Sequence, residues 1–162
     1  MSAPRPAVKP PARLPWPPLL MAATVAAGLT LDKISGAMMG DLLANLPLRA
    51  MGGALIAAAL ILDIWCARTL AQQETTILPH RVATSLVTGG GAYRFSRNPI
   101  YIAHVTLVLG LGLILVAPFI VALTPLLAFG LQKLSIEPEE RHLNEQFGAD
   151  FRAYVAQTPR WL

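Results

Sequence analysis

Charge is scarce in this chain of 162 residues: 14% of them are Asp, Glu, Lys or Arg, against about 25% in soluble domains. A water-soluble globule needs a charged skin, and 13 basic and 9 acidic side chains do not make one around a chain that is 54% hydrophobic. The single cysteine, Cys66, excludes an internal disulfide. Its place in an apolar run points to a buried, inert thiol. The net charge of +4 comes without a dense Lys/Arg cluster and without basic stretches interleaved with aromatics, so the footprint of a nucleic-acid binder is missing. His80, His104, His142 and Cys66 show no metal-ligand spacing. With 12 glycines and 14 prolines the composition is well short of a disordered chain, and no internal repeat stands out. One domain remains, with lipid as its main solvent.

Asp, Glu, Lys and Arg are absent from Leu14 to Leu31 and from Asn98 to Gln132, and only Asp63 stands between Arg49 and Arg68. A spanning helix needs about 20 apolar residues, range ~17–25. The third stretch is too long for one span, because Ile100 to Leu134 as one helix would run ~52 Å against ~30 Å of hydrocarbon. Ala117-Pro118 is the best break, since proline lacks an amide hydrogen and drives the preceding residue out of helical geometry. The sequence therefore predicts an all-α membrane bundle of about four spans, 15–31, 46–70, 100–116 and 118–135, the last two forming a hairpin.

Eleven of the 13 basic residues then fall on one side, and only Lys33 and Arg49 on the other. By the positive-inside rule both termini are cytoplasmic and the protein is multi-pass, in the inner membrane if the source is bacterial. Residues 1–14 read as a proline-rich cytosolic tail and 15–162 as a single membrane domain. A cleaved signal peptide fits poorly, because Pro17 and Pro18 interrupt the start of the first apolar run.

Two polar segments carry the remaining chemistry. Before the hairpin, Leu86-Val87-Thr88 leads through Gly89 to Gly91 into Tyr93-Arg94-Phe95-Ser96-Arg97-Asn98-Pro99-Ile100-Tyr101. Arg97 and Tyr101 are four apart and share a helical face if the helix has begun. Pro99 suits a first turn. The bland alternative is interfacial anchoring by Arg and Tyr. After the hairpin, Glu137, Glu139 and Glu140 suit a helix N-terminus, and Leu143, Phe147, Phe151 and Tyr154 recur at amphipathic spacing with a bend at Gly148. His104, one turn beyond Tyr101, and Asp63 are ionisable groups inside spans, and such groups usually face a cavity or partner. His104 is a candidate pocket residue; for Asp63 a structural role is favoured.

The lead Leu86-Val87 … Gly91-x-Tyr93, then Arg97-Asn98-Pro99-x-Tyr101, a membrane hairpin, and Glu139-Glu140-x-x-Leu143 … Phe147-Gly148-x-x-Phe151-x-x-Tyr154 resemble the isoprenylcysteine carboxyl methyltransferase family. The wider group includes membrane phospholipid N-methyltransferases. The resemblance covers about residues 70–162, and the order of the motifs around the hairpin is its specific part. Asn98 stands where many members have His, Phe151 where Tyr is usual, and Pro138 interrupts the helix just before the glutamate pair. Ser135 stands near a position that is Arg in the prenylcysteine enzymes.

The resemblance implies an integral membrane methyltransferase using S-adenosylmethionine and a lipophilic acceptor, small-molecule, prenylated or lipid, with an isoprenylcysteine-like carboxylate as one option. It places Leu86, Val87, Gly91, Tyr93, Arg97, Asn98, Pro99, Tyr101, His104, Glu139 and Glu140 at the cofactor, with Arg97, Tyr101 and Glu140 at the reaction. The residue types suit it: Arg97 can pair with a carboxylate, and either glutamate can accept from an ammonium or from ribose hydroxyls. No metal is required, and the oligomeric state is left open. A small four-helix transporter or scaffold would share the hydropathy, but a transporter should place an ionisable residue near the midplane. Such a scaffold would have no need of two polar segments rich in Arg, Tyr and Glu.

Overall fold

Pro17 and Pro18 fall in the first turn of α1, Trp16–Ser35, where a missing amide hydrogen leaves no intrahelical bond unmade. In the computed structural model, which describes residues 14–36, 46–72 and 90–162, the other elements are likewise helical. They are α2 (Leu46–Gln72), a 3₁₀ turn (Gly91–Arg94), α3 (Pro99–Ile114), α4 (Pro118–Leu131), a π-helical turn (Gln132–Ile136), α5 (Glu137–Phe147) and α6 (Ala149–Gln157). A helix stands over each of the four expected stretches. α1 runs a turn further than the expected 31, and α3 begins and ends one or two residues earlier than 100–116. Of the expected tail 1–14, residues 1–13 lie outside the described residues.

The extensive contacts run from α2 to α3, from α3 to α4 and from α4 to α1. At the α2–α3 crossing the backbones meet at Gly52 and Gly110, where a Cβ on either would come within 2.8 Å of the other's carbonyl oxygen. Gly28 of α1 meets Ile120 of α4 in the same close manner. Small residues at such crossings are what lets helices associate in lipid, where no hydrophobic force drives them together. Tyr101, Val108, Ile120, Leu127, Leu131 and Ile136 form the main core, with Leu20 and Val25 of α1 packed against it. Leu60, Ile61, Ile64 and Trp65 of α2, and Leu126 and Phe129 of α4, stay exposed, an apolar surface that suits lipid rather than water. By length and apolarity, α2 and the continuous helix Pro118–Phe147 can each cross a membrane; α3 is apolar but shorter. The chain folds as a membrane helical bundle.

The hairpin turn falls where Pro118 put it. α3 closes with Ala117 donating to the Gly112 carbonyl (2.9 Å) and Val116 to Leu113 (3.3 Å), and Val116 takes a left-handed φ of 57°. A β-branched residue in that region is strained, by about 1–3 kcal/mol. Val116→Gly is accordingly expected to stabilise the protein by about 1 kcal/mol, read by thermal unfolding in detergent; a loss of stability would show that the Val116 side chain matters more than its backbone. At the same end of the bundle the Asp32 carboxylate, near the close of α1, accepts from the Phe119 amide at 3.4 Å. An acid at the start of α4 is where the helix dipole favours it.

Pro138, expected to interrupt the helix ahead of the glutamate pair, does not. α4 passes through the π turn into α5 without a break, the Glu137 amide bonding the Gln132 carbonyl five residues back. Widening the turn redistributes the carbonyls just where proline withdraws a donor. Gly148, with φ 53°, then separates α5 from α6, as the bend at that residue required.

Candidate active site

The start of α1, the second half of α2, the approach to α3 and the start of α5 converge on one end of the bundle. Between them lies a cavity of about 360 Å³. Pro15, Pro17 and Pro18 form one wall, and Asp63 and Ala67 of α2 another. Tyr93, Arg97 to Tyr101, His104 and Glu139 complete it.

Two acid pairings organise its floor. The Tyr101 hydroxyl donates to Glu139 Oε2 at 2.8 Å, joining α3 to α5 inside the cavity. Glu140, the adjacent residue, turns the other way and lies between two arginines. Arg97 reaches its Oε1 through Nε (3.2 Å) and Nη2 (3.1 Å), and Arg160 Nη2 its Oε2 at 2.6 Å. Arg97 is further held by Nη1 bonds to the carbonyls of Thr158 (2.8 Å) and Val155 (3.1 Å). Most of its guanidinium N–H groups therefore have partners within the chain, and little of the fork is left for a ligand carboxylate.

The segment after α6 closes over the approach to α3. The Arg97 amide donates to the Pro159 carbonyl at 2.9 Å. Ser96 Oγ and Asn98 Nδ2 both donate to the Arg160 carbonyl at 3.1 Å, and Trp161 Nε1 reaches Gln132 Oε1 at 3.1 Å. Tyr154 adds a bond from its hydroxyl to the Tyr93 carbonyl, 2.6 Å. Burial pushes the Tyr154 phenol up to about 12 although Arg97 draws it down, so at neutral pH it is a donor. Burial likewise raises Tyr93, and the hydrogen bond to Glu140 raises Arg160 above its ordinary value.

Of the residues expected at the site, Tyr93, Arg97, Asn98, Pro99, Tyr101, His104 and Glu139 line the cavity together. Glu140 is one residue away but on the arginine side. Gly91, with φ 54°, is packed on Thr69 and Trp65 of α2. Leu86 and Val87 lie outside the described residues. Asp63, read first as structural, faces the cavity. The sequence reading missed Ser96 and gave Arg160 no role beyond sidedness, since neither belongs to a motif. Cys66 is fully buried, as its apolar setting required.

A family model described as phospholipid methyltransferase matches residues 48–150, well over half of the chain. The chain belongs to the phospholipid methyltransferase family. The match covers α2, the approach to α3, the hairpin and α5, which together carry most of the cavity wall. The membrane methyltransferase group to which the sequence motifs pointed is therefore the right one, and a membrane methyltransferase needs a methyl donor. No curated protein and no solved structure matches the chain.

Proposed function

We propose that the protein is a multi-pass membrane methyltransferase that moves the methyl group of S-adenosylmethionine to a lipophilic acceptor, with both termini cytoplasmic. The observation that carries this reading is the cavity itself. In a chain so poor in charge, it gathers two carboxylates, an imidazole, two phenols and a guanidinium edge where four elements meet. The fit to the donor is chemical. Glu139 supplies an acceptor for its ammonium or ribose hydroxyls, Tyr93 and Tyr101 supply aromatic faces for a cationic sulfonium, and Arg97, whose N–H groups are mostly held within the chain, supplies positive charge toward its carboxylate. S-adenosylmethionine would contribute an activated methyl group on sulfur.

Every other contribution comes from the chain. Transfer is an in-line displacement, so catalysis depends on holding the acceptor atom and methyl carbon aligned and on excluding water. Tyr101, anchored to Glu139, and Asn98, anchored to the Arg160 carbonyl, fix the cavity wall. Glu140 and Arg160 act behind it by holding Arg97. The cavity lies between the start of α1 and α2, two helices without the extensive packing of the other neighbours. An apolar acceptor entering sideways from lipid would meet there a polar donor entering from the cytosol.

The test is binding of S-adenosylhomocysteine to the purified protein in detergent. At a hundredfold excess over Kd the expected stabilisation is about 2.7 kcal/mol, seen as a clear rise in Tm. An unchanged Tm across millimolar ligand removes the reading. A transporter or scaffold would give that flat result.

A further inference from the structure

Beside the cavity, and sharing Arg97 with it, lies a second hollow, a groove of about 410 Å³ formed by α5, α6 and the closing segment. Arg97, Arg141, Arg152 and Arg160 line it, together with Glu137 and Glu140. Both carboxylates are already engaged, Glu140 by Arg97 and Arg160 and Glu137 by Lys133 Nζ at 2.7 Å. Arg141 is exposed and has no hydrogen-bond or ion-pair partner among the described residues, and the exposed Arg152 has only a 3.5 Å contact with Asn144 Oδ1. Two guanidinium forks are therefore on offer, and a phosphate fits such forks bidentately. The helix that carries the groove sets its depth. Pro118–Phe147 is continuous and can cross a membrane; from Pro118 to Glu137 it rises ~28 Å, close to the ~30 Å of hydrocarbon, and Arg141 lies ~6 Å further, within the headgroup layer. A chain of contacts leads back from the groove toward the acyl region, from Glu137 to Lys133 and from Lys133 Nζ to the ring of Phe129, 5.9 Å away. Phe129 is 59% exposed.

We propose that this groove holds the headgroup of an anionic phospholipid, its phosphate on Arg141 and Arg152 and its acyl chains descending past Phe129. The lipid is a bound ligand that fastens α5 to α6 across the bend at Gly148, and it is not the methyl acceptor, which belongs to the cavity. Such binding requires Pro118–Phe147 to cross the membrane and does not depend on methyl transfer. Basic pockets just beyond the end of a span attract anionic lipid. A zwitterionic headgroup would bring its own cation among four arginines, where like charges repel. S-adenosylmethionine would bring two, its ammonium and its sulfonium, to a groove whose carboxylates are taken. A free phosphate would satisfy the arginines and leave the exposed Phe129 surface unused. Arg97 and Arg160 belong to the same groove, and the Arg160 carbonyl holds Ser96 and Asn98. A lipid that pins α5 to α6 therefore steadies the closing segment over the approach to α3.

The experiment compares the full chain in nanodiscs of phosphatidylcholine alone with the same chain in discs that also contain phosphatidylglycerol. Thermal unfolding gives Tm, and native mass spectrometry counts the lipids retained when the disc is stripped away. Phosphatidylglycerol is expected to raise Tm by about 2–4 °C and to stay on the wild-type protein. The double variant Arg141→Gln, Arg152→Gln should abolish both effects; each single variant should lose part of them and provides the test should the double variant not fold. Arg68→Gln removes an exposed arginine of α2 that does not line the groove, and it should keep both effects. Millimolar inorganic phosphate added to the phosphatidylcholine discs should leave Tm unchanged. The proposal is overturned by a wild-type protein indifferent to phosphatidylglycerol, by effects that survive the loss of Arg141 and Arg152, or by an equal loss in Arg68→Gln. An equal rise with inorganic phosphate also overturns it, by making the groove a site for a soluble anion. None of these measurements uses the methyl donor, so failure to bind S-adenosylhomocysteine would remove the methyltransferase reading alone.

Discussion

Replacing Glu140 by alanine is expected to destabilise the protein by about 2–3 kcal/mol, the largest stability loss of any single change at this end of the bundle. Breaking a buried ion pair by removing one partner costs about 3–5 kcal/mol, because the other charge is stranded. Here the side chains of Arg97, Glu140 and Arg160 are 11%, 15% and 34% exposed, so solvent screens part of that cost. Two guanidinium groups would be left facing each other across the vacated space, and like charges at such range repel. Arg97 would still hold the carbonyls of Val155 and Thr158, so the closing segment should loosen before the bundle opens. The measurement is denaturation in detergent, with Glu140→Ala, Arg160→Ala and the double variant as a cycle. The double variant should lose less than the sum of the singles. Strict additivity, or a loss below 0.5 kcal/mol (~0.5, within ordinary surface effects), would show that the two arginines do not depend on this carboxylate.

Glu139→Ala should act on binding instead. With its carboxylate gone, the cavity loses its acceptor for the donor's ammonium or ribose, and S-adenosylhomocysteine should bind about 10- to 100-fold more weakly. That is about 1.4–2.7 kcal/mol, the range for a hydrogen bond to a charged group. Tyr101→Phe separates the two duties of Glu139: it removes the 2.8 Å anchor and keeps the charge, so its effect should be the smaller. Calorimetry of the three proteins decides the matter. Equal affinity in wild type and Glu139→Ala would move the donor's polar end elsewhere, and the neighbouring basic groove lined by Arg97, Arg141, Arg152 and Arg160 would be the next place to look.

The apolar helices were legible because charge is scarce in them and because proline punctuates so strongly. Pro118 set the hairpin turn, and Pro17 and Pro99 suit first helical turns. Pro138 misled, since a proline that breaks an α-helix can be absorbed by a π turn, and nothing in Gln132 to Ile136 advertises one. The site was legible as a set of residues and not as a set of pairings. Spacing puts Glu139 and Glu140 side by side, yet their directions differ by about 100° on a helix. One therefore faces the cavity and the other a pair of arginines, and no local pattern states which. The contacts of Ser96, Asn98 and Arg97 with residues 155–160 span some sixty positions of chain. They run largely to backbone carbonyls, which every residue has, so side-chain identity cannot reveal them.

The π turn at Gln132–Ile136 has a consequence for how chain length can vary at this point. A π turn holds one residue more than the α-helical turn it replaces, while the helices on either side keep a common angular register. Loss of one residue from 133–135 would let the segment relax to ordinary α-helix with Glu139 still aimed at Tyr101. An added residue has no such slack to draw on and would swing both glutamates round by about 100°. The boundary between the apolar helix and its polar continuation is thus tolerant of shortening and intolerant of lengthening.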